Sequence, residues 1–204
     1  MSTVESLLRE LRSEMNERFA NHIAPDTINR YVNETYVTLH RTAHADQQLP
    51  DKVRRFTIDR LTALAQTTGT IGKPVPEVLF LCIHNAGRSQ MAAALMAHHS
   101  RGRVHVRSAG SRPDPAVSAS AAAVLAEVGV TLSDAFPKPL TDDVLRAADV
   151  VVLAGGADAC PRVSGPRYEV WELPHPPGSD LDAVRAVRDD IDARVRALLT
   201  ELTT

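Results

Sequence analysis

The chain has 204 residues, 44% of them hydrophobic and 24% charged, with a formal net charge of −2. That is more than one minimal domain needs, it permits an ordinary apolar core, and it argues against a polyanion binder or any nucleic-acid partner. With no apolar run of membrane-spanning length and a charged N-terminus, MSTVESLLRELRSEM, the sequence predicts a cytoplasmic protein with no membrane association.

Residues 1–68 read as a three-helix bundle. Val4, Leu8, Leu11, Met15 and Phe19 recur at helical spacing in the first helix. The second opens at Pro25-Asp26, with Asp26 a candidate N-cap, and places Ile28, Tyr31, Val32, Tyr36 and Leu39 on one stripe. The third opens in the same way at Pro50-Asp51 and carries Val53, Phe56, Leu61 and Leu64. Each stripe needs a partner, which three packed helices supply. Lys/Arg and Asp/Glu balance over this segment without a basic stripe, so docking or homodimer formation fits it better than DNA binding. Residues 69–76 read as a linker rich in Thr, Gly and Pro.

From 77 to 204 strands and helices alternate. EVLFLCI (77–83), VHVRSAG (104–110), DVVVLAG (149–155) and RYEVWEL (167–173) read as strands. SQMAAALMAHHS (89–100) and ASAAAVLAEVG (119–129) read as helices. A closing helix over 182–202 turns Val184, Val187, Ile191, Val195 and Leu198 to the core. The pattern predicts an α/β domain, a parallel sheet with flanking helices and a site at the carboxyl ends of its strands.

The chemistry concentrates in VLFLCIHNAGRSQMAAALM (78–96). A buried strand ends at Cys82, and Arg88-Ser89 open a helix after a short loop of His84, Asn85, Ala86 and Gly87. Loop amides and a helix N-terminus form a concave anion site and favour a thiolate at Cys82. Arg88 can grip two oxygens of a tetrahedral anion in a bidentate fork, a geometry lysine lacks. Asn85 and Ser89 suit the support of the loop and a bond to the sulfur. Gly87 suits a close approach or a positive φ. The His84 side chain is expected to point outward. The two cysteines form no disulfide framework, neither has zinc-site spacing, and the adjacent His98 and His99 make a poor metal pair, so no metal and no bound cofactor are expected.

The segment resembles the active-site loop of the low-molecular-weight protein tyrosine phosphatase superfamily, and HNAGRSQMA is closer to its arsenate reductase branch than to its phosphatase branch. SAG (108–110), PKPL (137–140), DACP (158–161) and WEL (171–173) agree, and the likeness spans residues 76–202. The N-terminal bundle is similar to a helical domain that precedes this catalytic domain in arsenate-mycothiol transferase-like members. The resemblance implies a four-stranded parallel sheet, Cys82 as nucleophile, Arg88 as oxyanion ligand, and Asn85, Ser89 and Ser108 as a supporting hydrogen-bond network.

Two departures from the family pattern stand out. The family carries an Asp-Pro after the fourth strand, the Asp being the general acid; here His175-Pro176 takes its place in WELPHPPG. Histidine titrates near neutrality and can donate a proton, or His175 is a plain loop residue and the role is lost; Asp180, close by, is a lesser substitute. The second concerns the thiol relay, for which only Cys160 remains; Gly155 and Gly156 stand where relatives can carry a further cysteine. Either mycothiol or glutathione attacks the arsenic adduct on Cys82 and a redoxin follows, or Cys160 resolves it as a disulfide for thioredoxin. Cys160 as a buried structural thiol is the plainer reading. The functions implied are a thiol-dependent arsenate reductase, an aryl phosphate monoester phosphatase, or a non-catalytic oxyanion-sensing or regulatory module.

Overall fold

The computed structural model describes residues 3–42, 48–155 and 160–204. It divides into two compact units, residues 1–72 and 73–204.

The first unit consists of α1 (Thr3–Phe19), α2 (Pro25–Thr42) and α3 (Leu49–Thr67). Its core is drawn from the predicted stripes: Leu11, Met15, Phe19, Ile28, Val32, Leu39, Val53, Phe56 and Leu61 are buried, the larger of these side chains each worth about 1.5–3 kcal/mol of removed apolar surface, while Leu8, Tyr36 and Leu64 are half-buried. Val4 stays exposed at the end of α1. The helix starts differ from the caps expected. Asp26 and Asp51 lie inside the first turns, where they complement the helix dipole, and α3 begins at Leu49 with Gln48 as an N-cap that makes no side-chain cap bond. Arg60 is buried among aromatic rings, its guanidinium 4.4 Å from the centroid of Tyr31, and it bonds Thr35 Oγ1 at 3.1 Å.

The second unit is a four-stranded sheet in the order β2-β1-β3-β4, built of β1 (Glu77–Cys82), β2 (His105–Gly110), β3 (Val150–Ala154) and β4 (Arg167–Trp171). All pairings are parallel, with Cys82 level with Gly110 across the β1–β2 ladder. Helices α4 (Arg88–Ser100), α5 (Ala119–Ala126), α6 (Asp142–Ala147) and α7 (Leu181–Leu202) flank it. β1 and β3 are continuous apolar runs because both faces of a parallel sheet are covered. The predicted face of α7 is buried throughout, against α4 and α5. α6 was not foreseen: at six residues it is too short for a periodic signal. β1 starts on a charge that its apolar reading did not anticipate. Glu77 is buried, paired with the buried Arg107 of β2 and with His105 at 3.1 Å, while its amide donates to Asp149 at 2.8 Å. Breaking one partner of so buried a pair costs about 3–5 kcal/mol, which makes this end of the sheet a structural anchor. The opposite, carboxyl end carries Cys82.

Candidate active site

β1 delivers Cys82 to the carboxyl edge of the sheet, next to the strand where the chain order reverses, the usual ligand position in such folds. The chain then turns sharply and enters α4 at Arg88. The turn is made by Asn85, which is fully buried with φ 47°. Asparagine tolerates that left-handed region better than other non-glycine residues. Of the two roles suited to Gly87, it is not the positive φ that it fills: its φ is −119°, and it is the N-cap of α4.

Two groups converge on the sulfur. The Asn85 amide donates to Sγ at 3.2 Å, and Ser89 Oγ lies 2.9 Å from it. Asn85 Nδ2 donates to that same Oγ at 2.9 Å, so the serine proton is free to point at sulfur. The resulting relay, amide to hydroxyl to sulfur, solvates a sulfur anion. No side chain caps α4, so its first N–H groups remain for an incoming anion.

The loop is held from outside by main-chain atoms. Asn85 Oδ1 accepts from the Lys138 amide at 2.9 Å, and the buried Gln90 Nε2 bonds Asn85 O at 3.0 Å and Phe136 O at 3.0 Å. Gly110 donates to Lys138 O and accepts from the Leu140 amide, forming a bridge with Pro139. A Cβ on Gly110 would lie 2.7 Å from Ile83 O and 2.9 Å from Asn85 Cβ, so only glycine lets the loop seat on β2. The SAG and PKPL segments thus act through Gly110 and the backbone at 138. Ser108 is buried on β2 opposite Phe80, and among the described residues its hydroxyl makes no bond to the loop.

Arg88 turns its guanidinium toward the ends of β3 and β4, with Nη1 on Leu173 O at 3.1 Å and Gly155 O at 3.5 Å. Gly155 has φ 94°, and a Cβ built there would sit 1.6 Å from Nη1. The glycine makes room for the arginine; a cysteine there would collide with it. Gly156 and Asp158 lie outside the described residues. Cys160 is a half-buried free thiol bonded to Pro161 O at 3.3 Å, and burial pushes its pKa up, against the opposing pull of Arg162.

Cys82, Ala86, Gly87 and Arg88 open into a cavity of about 250 Å³ whose walls include Met91, Ala121, Val184 and Val187. His84 and His175 stand at its rim. The His84 side chain is not simply outward: it bonds Asp114 at 3.0 Å and shares the cavity with Cys82. Asp114, in the segment after β2, and Gln90 were missed by the sequence reading, since neither sits in the loop. Asp180 is committed elsewhere, capping α7 through a 3.0 Å bond from the Ala183 amide. Trp171 is core, buried against Phe80. His99 bonds Asp192 and faces His98 edge-on, and among the described residues no cluster of His, Cys, Asp and Glu could hold a metal.

Residues 77–204 match the family model for low molecular weight phosphotyrosine protein phosphatase. The chain belongs to that family. Residues 8–65 match a second model, the protein-tyrosine-phosphatase-like N-terminal domain, so the helical unit also has kin. Within the phosphatase family, the chain is similar over 97% of its length to the structure of a thioredoxin-dependent arsenate reductase from Corynebacterium glutamicum, at 43% identity, 96% coverage of that chain and a TM-score of 0.88. A putative arsenate reductase of Halobacterium salinarum is 32% identical over 127 residues, which are 60% of this chain and 89% of that protein. A glutaredoxin arsenate reductase of Synechocystis is 32% identical over 133 residues, 62% of this chain and 98% of that protein.

Proposed function

We propose that the chain is a thiol-dependent arsenate reductase in which Cys82 is the nucleophile. The observation that carries this reading is the convergence of the Asn85 amide and the Ser89 hydroxyl on Cys82 Sγ, beside an uncapped helix N-terminus and the Arg88 guanidinium. Arsenate, a tetrahedral anion, fits such a cradle, and the reductases similar to this chain support it as substrate over a phosphate ester. Among the described residues no Phe, Tyr or Trp lines the cavity, so it lacks the flat apolar wall an aryl ester would press against.

Cys82 attacks arsenic, an arsenic–oxygen bond breaks, and the departing hydroxyl takes one proton to leave as water. His175, at the cavity rim where the family has its acidic residue, supplies that proton. Arg88 and the loop amides hold the remaining oxygens as charge redistributes. A second sulfur then completes the reduction: arsenic takes the electron pair of its bond to Cys82 and departs as arsenite, while a disulfide forms. The thioredoxin dependence of the Corynebacterium neighbour supports a route in which Cys160 forms that disulfide and thioredoxin reduces it; an external thiol with a glutaredoxin-type partner is the alternative donor. Either donor belongs to a reducing compartment, which supports the cytoplasm as the site of action. No described helix is long and apolar enough to cross a membrane.

The test is arsenite formation by the purified chain with thioredoxin and, separately, with a small thiol plus its redoxin, beside hydrolysis of an aryl phosphate. Wild-type chain is expected to yield arsenite with at least one donor and Cys82→Ser none. Cys160→Ser should stop the thioredoxin route and spare the small-thiol route. Ester hydrolysis without arsenite from any donor would turn the reading to a phosphatase, and silence in both assays to an oxyanion-binding module.

A further inference from the structure

His84 and Asp114 are joined twice. The Asp114 amide donates to His84 O at 2.9 Å, and the Asp114 carboxylate accepts from His84 Nδ1 at 3.0 Å. The first bond sets where the two segments lie, and the second sets the ring. A carboxylate accepts only, so Nδ1 carries the hydrogen of this bond, and in the tautomer with Nε2 unprotonated that second nitrogen is the ring's acceptor. His175 faces the same space from the loop after β4, with ring centroids 6.5 Å apart and planes tilted by 39°. That separation is too wide for a direct bond between ring nitrogens and suits one oxygen atom held by both. Cys82 and Arg88 line the same cavity, so the shared oxygen would be one attached to the atom under attack.

We propose that Asp114 is a positioning residue that makes the site selective for a substrate whose leaving group is a hydroxyl, by fixing His84 to accept that hydroxyl's own hydrogen. The inference rests on the arsenate reading above. When the sulfur–arsenic bond forms and the arsenic–oxygen bond breaks, the departing hydroxyl keeps its hydrogen and donates it only as a hydrogen bond to His84 Nε2. Its lone pair is thereby aimed at His175, which gives the proton that completes water. An ester leaving oxygen carries carbon in place of hydrogen and has nothing to donate to His84. The pair therefore assists arsenate and is idle for the first step of ester cleavage.

The experiment compares two reactions of the full chain, kcat/KM for arsenate reduction with a working donor and the pre-steady-state release of nitrophenol from p-nitrophenyl phosphate. Asp114→Asn is expected to lower the arsenate value about ten-fold, as one lost bond to a charged group allows, while the nitrophenol burst stays within about two-fold. Asp114→Glu should recover most of the arsenate loss, and His84→Ala should repeat the Asp114→Asn pattern should that variant fold poorly. Equal losses on both substrates, or none on either, would overturn the selectivity role while leaving the arsenate reading in place. A wild-type chain silent on arsenate overturns the arsenate reading and this inference with it.

Discussion

Gly155→Ala separates two effects that meet at one residue. Its φ of 94° costs an L-residue about 1–2 kcal/mol in backbone strain. The new Cβ would also fall 1.6 Å from Arg88 Nη1 and 2.5 Å from Cζ, so the guanidinium must leave its place. The arginine end is flexible, and moving it is sterically cheap, but it forfeits the 3.1 Å bond to Leu173 O, worth about 1.5 kcal/mol at the low end for a charged donor. The two together come to about 3 kcal/mol. Gly129→Ala is the control, since φ there is 75° with nothing within 4 Å of the added carbon, and it carries the strain alone. Thermal melts should show both variants lowered, Gly155→Ala by the larger amount and by roughly 10 °C for a unit of this size. Inorganic phosphate, titrated by calorimetry, reads the displaced arginine: Gly155→Ala should lose about ten-fold or more in affinity, and Gly129→Ala should bind as wild type. Equal phosphate affinity in the two variants would refute the argument that Gly155 exists to seat Arg88.

Arg88→Lys keeps the charge but loses the planar fork that reaches both the carbonyl of Leu173 and an anion; kcat/KM should fall by about 10²–10³, and a loss under two-fold would remove Arg88 from the site. Burial raises the Cys160 pKa, so near neutrality this thiol is held more in its protonated, unreactive form than a free cysteine. Its alkylation by iodoacetamide, followed by mass spectrometry in Cys82→Ser, should accelerate at a higher pH than that of a free cysteine, and a profile matching the free thiol would contradict its burial. Ser118→Ala removes the bond that Ser118 Oγ accepts from the Ala121 amide at the start of α5 and should cost about 1 kcal/mol in denaturant melts.

What could be read in the sequence was whatever repeats along it. The stripe of α7, the apolar runs of β1 and β3, and the spacing from Cys82 to Arg88 are local patterns, and each reappears in the structure at its expected place. The residues that escaped are those whose meaning depends on a distant partner. Glu77 reads as a polar strand boundary until Arg107 is beside it, and Asp114 as an ordinary loop acid until His84 Nδ1 is 3.0 Å away. The positive φ fell on Asn85 because its amide group is shared among Ser89, Gln90 and the Lys138 backbone, a combination no glycine could satisfy.

The clamp on the loop reads main chain at 138 and 110, where an amide meets Asn85 Oδ1 and paired carbonyl and amide groups close the bridge. Sequence length between β2 and α6 is therefore under tighter constraint than the side chain at Lys138. Exchange of that lysine leaves the contact intact, whereas one residue added or removed there slides the donor out of register and frees a loop that sits some fifty positions earlier in the chain.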